Sequence, residues 1–266
     1  MSSRTWIAAL RGSQQRLAGL VASLSPEQLR GPSYAAGWSV AQVLSHIGSQ
    51  AEIAHQSLVA TLAGREPFGP EGFAYILAVW SARDPDQQAA ECLAIDAEHV
   101  RRLEQLTDEQ LAAIRVTFFG MEFDAVGMVW LRLGEHALHS WDVAVSLDAS
   151  AVVAPQSVRL LTDRIPQVAM RAGGPARPGD DRFTVGIAVT DPPREFVLEV
   201  AETVTMTAVP DGTSTASPTG IPWIRMPAEA LLRLVYGRLD PDHMPPPESL
   251  AGPVDLDALR RAFPGL

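Results

Sequence analysis

Glu135-His136-Ala137-Leu138-His139-Ser140-Trp141-Asp142 decides how the first half of this chain is read. A helix turns about 100° per residue, so Glu135 and His139, four apart, share one face about one turn apart. Asp142, seven beyond Glu135, returns to that face. A carboxylate and an imidazole that project together into a bundle are how helical proteins build metal sites. A lone pair of this kind is more often a surface interaction than a metal site, and two ligands hold an ion poorly. His46, set among apolar residues of a second amphipathic stretch, is the third candidate. Three protein ligands leave a coordination position open for chemistry.

The remaining histidines are rivals or bystanders. His136 and His139 are three apart and could also chelate, but His136 lies about 100° from Glu135, so the two cannot both face one ion. Asp142 favours the Glu135/His139 face and can orient a ligand imidazole. His55 is half a turn out of phase with His46 and reads as an exposed helix residue. His99, beside Arg101 and Arg102, reads as part of a solvated face, and His243 sits in a Pro-rich loop without a partner in sequence. Two imidazoles and one carboxylate suit tetrahedral Zn²⁺, with Fe²⁺ and Ni²⁺ as competitors.

Outward from this stretch, residues from about 3 to 147 read as mostly helical. Trp6, Ile7, Leu10, Leu17 and Leu20 recur at helical spacing. Ser25-Pro26-Glu27-Gln28 is a capped helix start with Pro at the first helical position. Ser39 and Gln42 form a capping box, and the helix they open runs to about Leu62, with Trp38 placed to staple onto Val43. A third helix is expected over 86–105 and a fourth over 121–147. Between them lie a short helix, a Gly- and Pro-rich loop at 63–72, and an extended piece at Ile114–Phe119. This is the pattern of a four-helix bundle.

The pattern changes near Asp148. One helix is expected over 155–171, and Gly173–Asp181 reads as a flexible connection. Phe183–Val189, Glu195–Val200 and Thr203–Val209 have the β-branched content and alternation of strands, and their short spacing implies an antiparallel sheet. Helices at Pro227–Tyr236 and Leu256–Phe263 complete an α+β second half, with Pro245-Pro246-Pro247 a loop. The expected domains are 1–149, the helical bundle, and 150–266, the α+β unit.

Composition narrows the function. A net charge of -10 weighs against nucleic acid, whose phosphates need a basic face. Mean hydropathy is +0.06, and no apolar run is long enough for a membrane span. The N-terminus lacks a signal-peptide core, and Cys92 is the single cysteine; the expectation is a cytoplasmic protein. All 21 basic residues are Arg, as a GC-rich genome would give. Without Lys there is no Schiff-base chemistry and no P-loop lysine. There is also no Gly-rich phosphate loop, G-x-S-x-G elbow or CxxC.

Taken together, Gly37-Trp38-Ser39-Val40 followed by His46, then Glu135-x-x-x-His139-x-Trp141-Asp142, resembles the mycothiol-dependent maleylpyruvate isomerase family. Pro227–Arg238 is similar to part of that family's C-terminal domain. The resemblance implies a DinB-like N-terminal four-helix bundle and a C-terminal SCP2-like α+β domain. It also implies metal ligands at His46, Glu135 and His139, and mycothiol as the thiol that the metal activates. The thiolate would add to the double bond of a small electrophilic, maleylpyruvate-like substrate; rotation and thiol loss would give the trans isomer. Arg238 is the candidate to hold a substrate carboxylate bidentately; with Arg225 and Arg233 close in sequence, it also reads as a charge at a helix C-terminus. Family members often carry a Cys shortly before the Gly-Trp, where this chain has Ser33-Tyr34-Ala35-Ala36. The alternatives are a non-catalytic metal- or thiol-sensing protein and a metal-dependent hydrolase on the same bundle.

Overall fold

The computed structural model describes residues 1–67, 69–118, 121–173, 182–210, 220–246, 250–252 and 255–265. They form two compact units, Met1–Ser157 and Val158–Leu266. No helix among them is long and apolar enough to cross a membrane.

In the first unit the long helices are α1 (Ser3–Val21), α3 (Val40–Leu62), α5 (Pro85–Glu104) and α7 (Ala125–Val145). The first packs on α5 and α7, and α3 packs on the same two. Their apolar faces make the core, with Trp6, Leu10, Leu44, Ile47, Leu103 and Trp141 almost wholly buried. Shorter helices α2 (Pro26–Arg30), α4 (Pro70–Ser81) and α6 (Asp108–Ala113) connect them. Side-chain caps set most of the starts: Ser25, Ser39, Asp84 and Thr107 each form a full capping box. Asp124 caps α7 by accepting from the Gly127 N–H, so that helix begins at Ala125 and not near 121. The residues just before it are strand β2 (Met121–Phe123), paired antiparallel with β1 (Val116–Phe118). The expected extended piece therefore gains a partner strand; its last residue, Phe119, lies outside the described residues.

In the second unit, β3 (Phe183–Thr190), β4 (Arg194–Val200) and β5 (Val204–Ala208) are the expected antiparallel strands. A fourth, β6 (Trp223–Pro227), joins β3 in parallel, giving the order β5-β4-β3-β6. It is short and flanked by Pro222 and Pro227, and Pro is tolerated at such an edge; nothing in its sequence announces a strand. The register places Val185, Ile187, Leu198, Phe196, Ile224 and Met206 on one buried face. Helices α9 (Ile165–Ala172) and α10 (Ala228–Val235) pack on the strands, and α11 (Leu256–Ala262) ends the unit. The single helix expected over 155–171 is two, α8 (Pro155–Thr162) and α9. Pro166 lies in the first turn of α9 and lacks the N–H a continuous helix would need. Most of the connection at Gly173–Asp181, and Pro247, lie outside the described residues.

Close helix packing around α4 depends on Gly48 of α3. A Cβ there would lie 2.3 Å from the ring of Trp80. That ring is 2% exposed and its Nε1 donates to Glu52 Oε2 at 2.7 Å, so it cannot swing aside freely. On an open helix, Gly→Ala gains about 1 kcal/mol. Here overpacking, about 1–3 kcal/mol, outweighs that gain. Gly48→Ala should lower the unfolding free energy measured in urea; a stabilised variant would contradict this packing.

Candidate metal centre

Two helices and one loop assemble the site. His46 comes from the second turn of α3; Glu135, His139 and Asp142 come from α7. The loop before α3 turns at Gly37, whose φ of +80 favours glycine. It closes on itself through the Ser33 N–H to the Trp38 carbonyl at 2.9 Å and is tied to α7 by the Tyr34 N–H to the Asp142 carbonyl at 3.2 Å. The Asp142 carbonyl is available because it lies in the last turn of its helix. Tyr34 also meets Trp141 edge to face, with centroids 4.7 Å apart. Trp38 is thereby held over both imidazoles, its ring centroid 5.4 Å from His46 and 6.4 Å from His139.

His46 Nε2 lies 3.4 Å from Glu135 Oε2, and His139 Nε2 lies 3.6 Å from the same oxygen. One donor atom from each of the three residues falls within 4.8 Å of the others. These separations are long for hydrogen bonds. They match the edge of a tetrahedron of about 3.4 Å that ligands about 2.1 Å from one cation define. The donor set therefore fits a divalent ion. His139 Nδ1 is 2.8 Å from Asp142 Oδ2, and that carboxylate has no exposure. A carboxylate only accepts, so Nδ1 carries the proton and Nε2 keeps its lone pair toward Glu135. Burial opposes the charged form of Glu135, but His139 and His46, whenever their Nε2 atoms carry protons, outweigh it and hold the carboxyl well below its ordinary range; a neutral His139 instead offers that nitrogen as a ligand. Its side chain is 40% exposed, so the ligand set is open to solvent on that side.

His136, the rival, turns into the bundle core. Its Nε2 is 2.8 Å from Asp96 Oδ2, and the Arg132 guanidinium donates to Asp96 Oδ1 at 2.8 Å. His136 Nδ1 meets Ser13 Oγ at 2.8 Å and Ser140 Oγ at 3.2 Å. Asp96 and His136 are wholly buried. Burial raises the cost of the Asp96 charge, yet His136 and Arg132 hold its carboxyl far below the usual range. His99 is the clear correction to the sequence reading, because it is fully buried and not solvated. Its neighbours Arg101 and Arg102 misled, whereas Cys92, Asp96, His99 and Leu103 repeat at heptad spacing and share the buried face of α5. His55 is half-buried, its ring 6.2 Å from that of His99. His243 does have a partner, Asp240, at 2.9 Å. Arg238 belongs to the second unit, where its Nη1 donates to the Tyr236 carbonyl at 2.8 Å just beyond α10.

The family model described as the mycothiol maleylpyruvate isomerase N-terminal domain matches residues 10–144. Two crystal structures are similar to this chain with a TM-score of 0.65. One is the mycothiol-dependent maleylpyruvate isomerase, 14% identical over 95% of this chain and 93% of that one. The other is a histidine-to-alanine mutant of the mycothiol-dependent maleylpyruvate isomerase, 13% identical with the same coverage. At such identity the likeness shows a shared fold. No curated protein sequence matches.

The buried histidine carries a pH consequence. Burial first, then the Arg132 charge, pushes His99 down to about 3, while the unfolded chain titrates near about 6.5. Between those values the unfolded state binds the extra proton, so stability is complete above about pH 6.5 and falls on acidification. The slope from one such group is about 1.4 kcal/mol per pH unit. His99→Phe should flatten the fall in unfolding free energy between pH 6 and 4 by close to one proton; equal slopes in the two proteins would refute this burial.

Proposed function

Because the chain belongs to the family of the mycothiol maleylpyruvate isomerase N-terminal domain, we propose that it is a metal-dependent, mycothiol-using isomerase or S-transferase acting on a small electrophile. The observation that carries the reading is the convergence of His46, Glu135 and His139, with Asp142 fixing the His139 tautomer. These three residues are the proposed metal ligands, with Zn²⁺ the ion that best suits two nitrogens and one carboxylate oxygen.

A divalent ion there supplies Lewis acidity, favouring the thiolate form of a low-molecular-weight thiol at neutral pH. The chain's own residues do the rest. Glu135 enters as a carboxylate at neutral pH and offsets positive charge. Asp142 holds the His139 ring in place without itself facing solvent. Trp38 covers one side of both imidazoles and narrows access for water. The exposed side of Glu135 is where a thiol can approach. Addition of that thiolate to an activated double bond, followed by rotation and thiol loss, isomerises cis to trans; without the loss step the same addition is an S-transfer. The proposed location is the cytoplasm, where such thiols are kept reduced. Arg238 is the proposed contact for a substrate carboxylate.

The test uses the purified full chain loaded with Zn²⁺ and a maleylpyruvate-like cis-unsaturated dicarboxylate. Isomerisation or conjugation should require both metal and mycothiol. Turnover by metal-loaded protein without thiol would point instead to a hydrolase, and tight metal and thiol binding with no turnover of any electrophile to a sensor. His46→Ala, Glu135→Ala and His139→Ala should each lose stoichiometric metal by elemental analysis, while His136→Ala keeps it. Retained metal in all three would end the ligand assignment. Arg238→Ala should raise KM for a carboxylate substrate with metal content unchanged; unaltered kinetics would remove Arg238 from the site.

A further inference from the structure

The face of α7 opposite the metal ligands borders a cavity of about 290 Å³ within the first unit. Helical phase separates the two: Ala137, Ser140, Trp141 and Ala144 point roughly away from Glu135 and His139. Leu17 and Leu20 of α1 and Val152 and Val153 supply apolar walls. The segment carrying those valines is fixed to α7, since the buried Trp141 donates its Nε1–H to the Ala151 carbonyl at 2.8 Å. Besides Ser13, two polar groups break the apolar lining. Arg16 is exposed at the cavity and has no acceptor among the described residues. Ser140 is the second. His136 gives its Nε2 proton to Asp96, leaving one lone pair on Nδ1, and Ser13 Oγ at 2.8 Å is closer to it than Ser140 Oγ at 3.2 Å. Ser13 therefore donates to the imidazole, and the Ser140 hydroxyl keeps its proton for something else.

We infer that this cavity is a second binding site, for a small monocarboxylate with a hydrocarbon body. The charge pattern selects the anion. In a chain of net charge -10, Arg16 is the only ionisable residue among the described residues that line the cavity, and no carboxylate is among them. Arg16 and the Ser140 hydroxyl supply donors for one carboxylate, and the walls take the apolar remainder. The volume is about twice the roughly 150 Å³ that encloses benzene, which suits a ligand of about ten non-hydrogen atoms. The site stands apart from the metal centre and from the function proposed for it.

Octanoate is the probe, titrated calorimetrically into the metal-loaded full chain, with octan-1-ol as the uncharged control. Octanoate should bind saturably at one site per chain, and octan-1-ol at least about tenfold more weakly, as the loss of a charge-assisted contact implies. Arg16→Glu should weaken octanoate by at least about tenfold, Ser140→Ala by several-fold, and Ala144→Phe should abolish binding by filling the cavity. Circular dichroism and metal content check that each variant is folded. No saturable binding to the wild type would overturn the inference. So would octanoate binding indifferent to both Arg16→Glu and Ala144→Phe, or octan-1-ol binding as tightly as octanoate.

Discussion

The ion pair of Asp96 with Arg132, together with the hydrogen bond from His136 to the same carboxylate, fixes the rotation of α7, and the site depends on that rotation. Asp96 and its partners are almost wholly buried. Removing one partner of such a pair leaves a charge stranded and costs about 3–5 kcal/mol. Turning α7 by a single residue, about 100°, would strand it in the same way. With Arg132 and His136 aimed inward, their neighbours Glu135 and His139 must face His46 on α3. The core thus sets the geometry of the exposed donors, though no member of the ion pair is itself a proposed ligand.

Asp142 adds a second constraint from the same helix. Its carbonyl receives the Tyr34 N–H and its carboxylate the His139 ring. One residue therefore anchors the loop that carries Trp38 and selects the tautomer of a proposed ligand. A buried carboxylate is costly to desolvate unless its acceptor sites are used. Here the cost is offset by a contact that leaves the opposite ring nitrogen ready to bind.

Much of this was legible in the sequence because periodicity and caps are local signals. Ser39 and Gln42 announce the start of α3, and Glu135, His139 and Asp142 announce one face of α7. The phase argument separated Glu135 from His136, and the structure gives the two different surroundings. What the chain did not announce depends on pairing at a distance. Asp96 and Arg132 meet across two helices, and no local signal pairs the two. His99 was hidden by the arginines that follow it, although its heptad spacing from Cys92 placed it inward. Strand β6 exists because β3 has an open edge beside it, which five residues ending in Pro cannot reveal. The break between α8 and α9 is different: Pro166 stands in plain view within the single helix expected over 155–171, and its missing N–H is a local signal.

The central claim is that His46, Glu135 and His139 hold a metal ion with one position left for a thiol. X-ray absorption at the metal edge, on zinc-loaded protein before and after mycothiol is added, addresses it most directly. The account predicts a nitrogen and oxygen shell in the free protein and one added sulfur at about 2.3 Å with the thiol present. A metal environment that is already complete and gains no sulfur would contradict it.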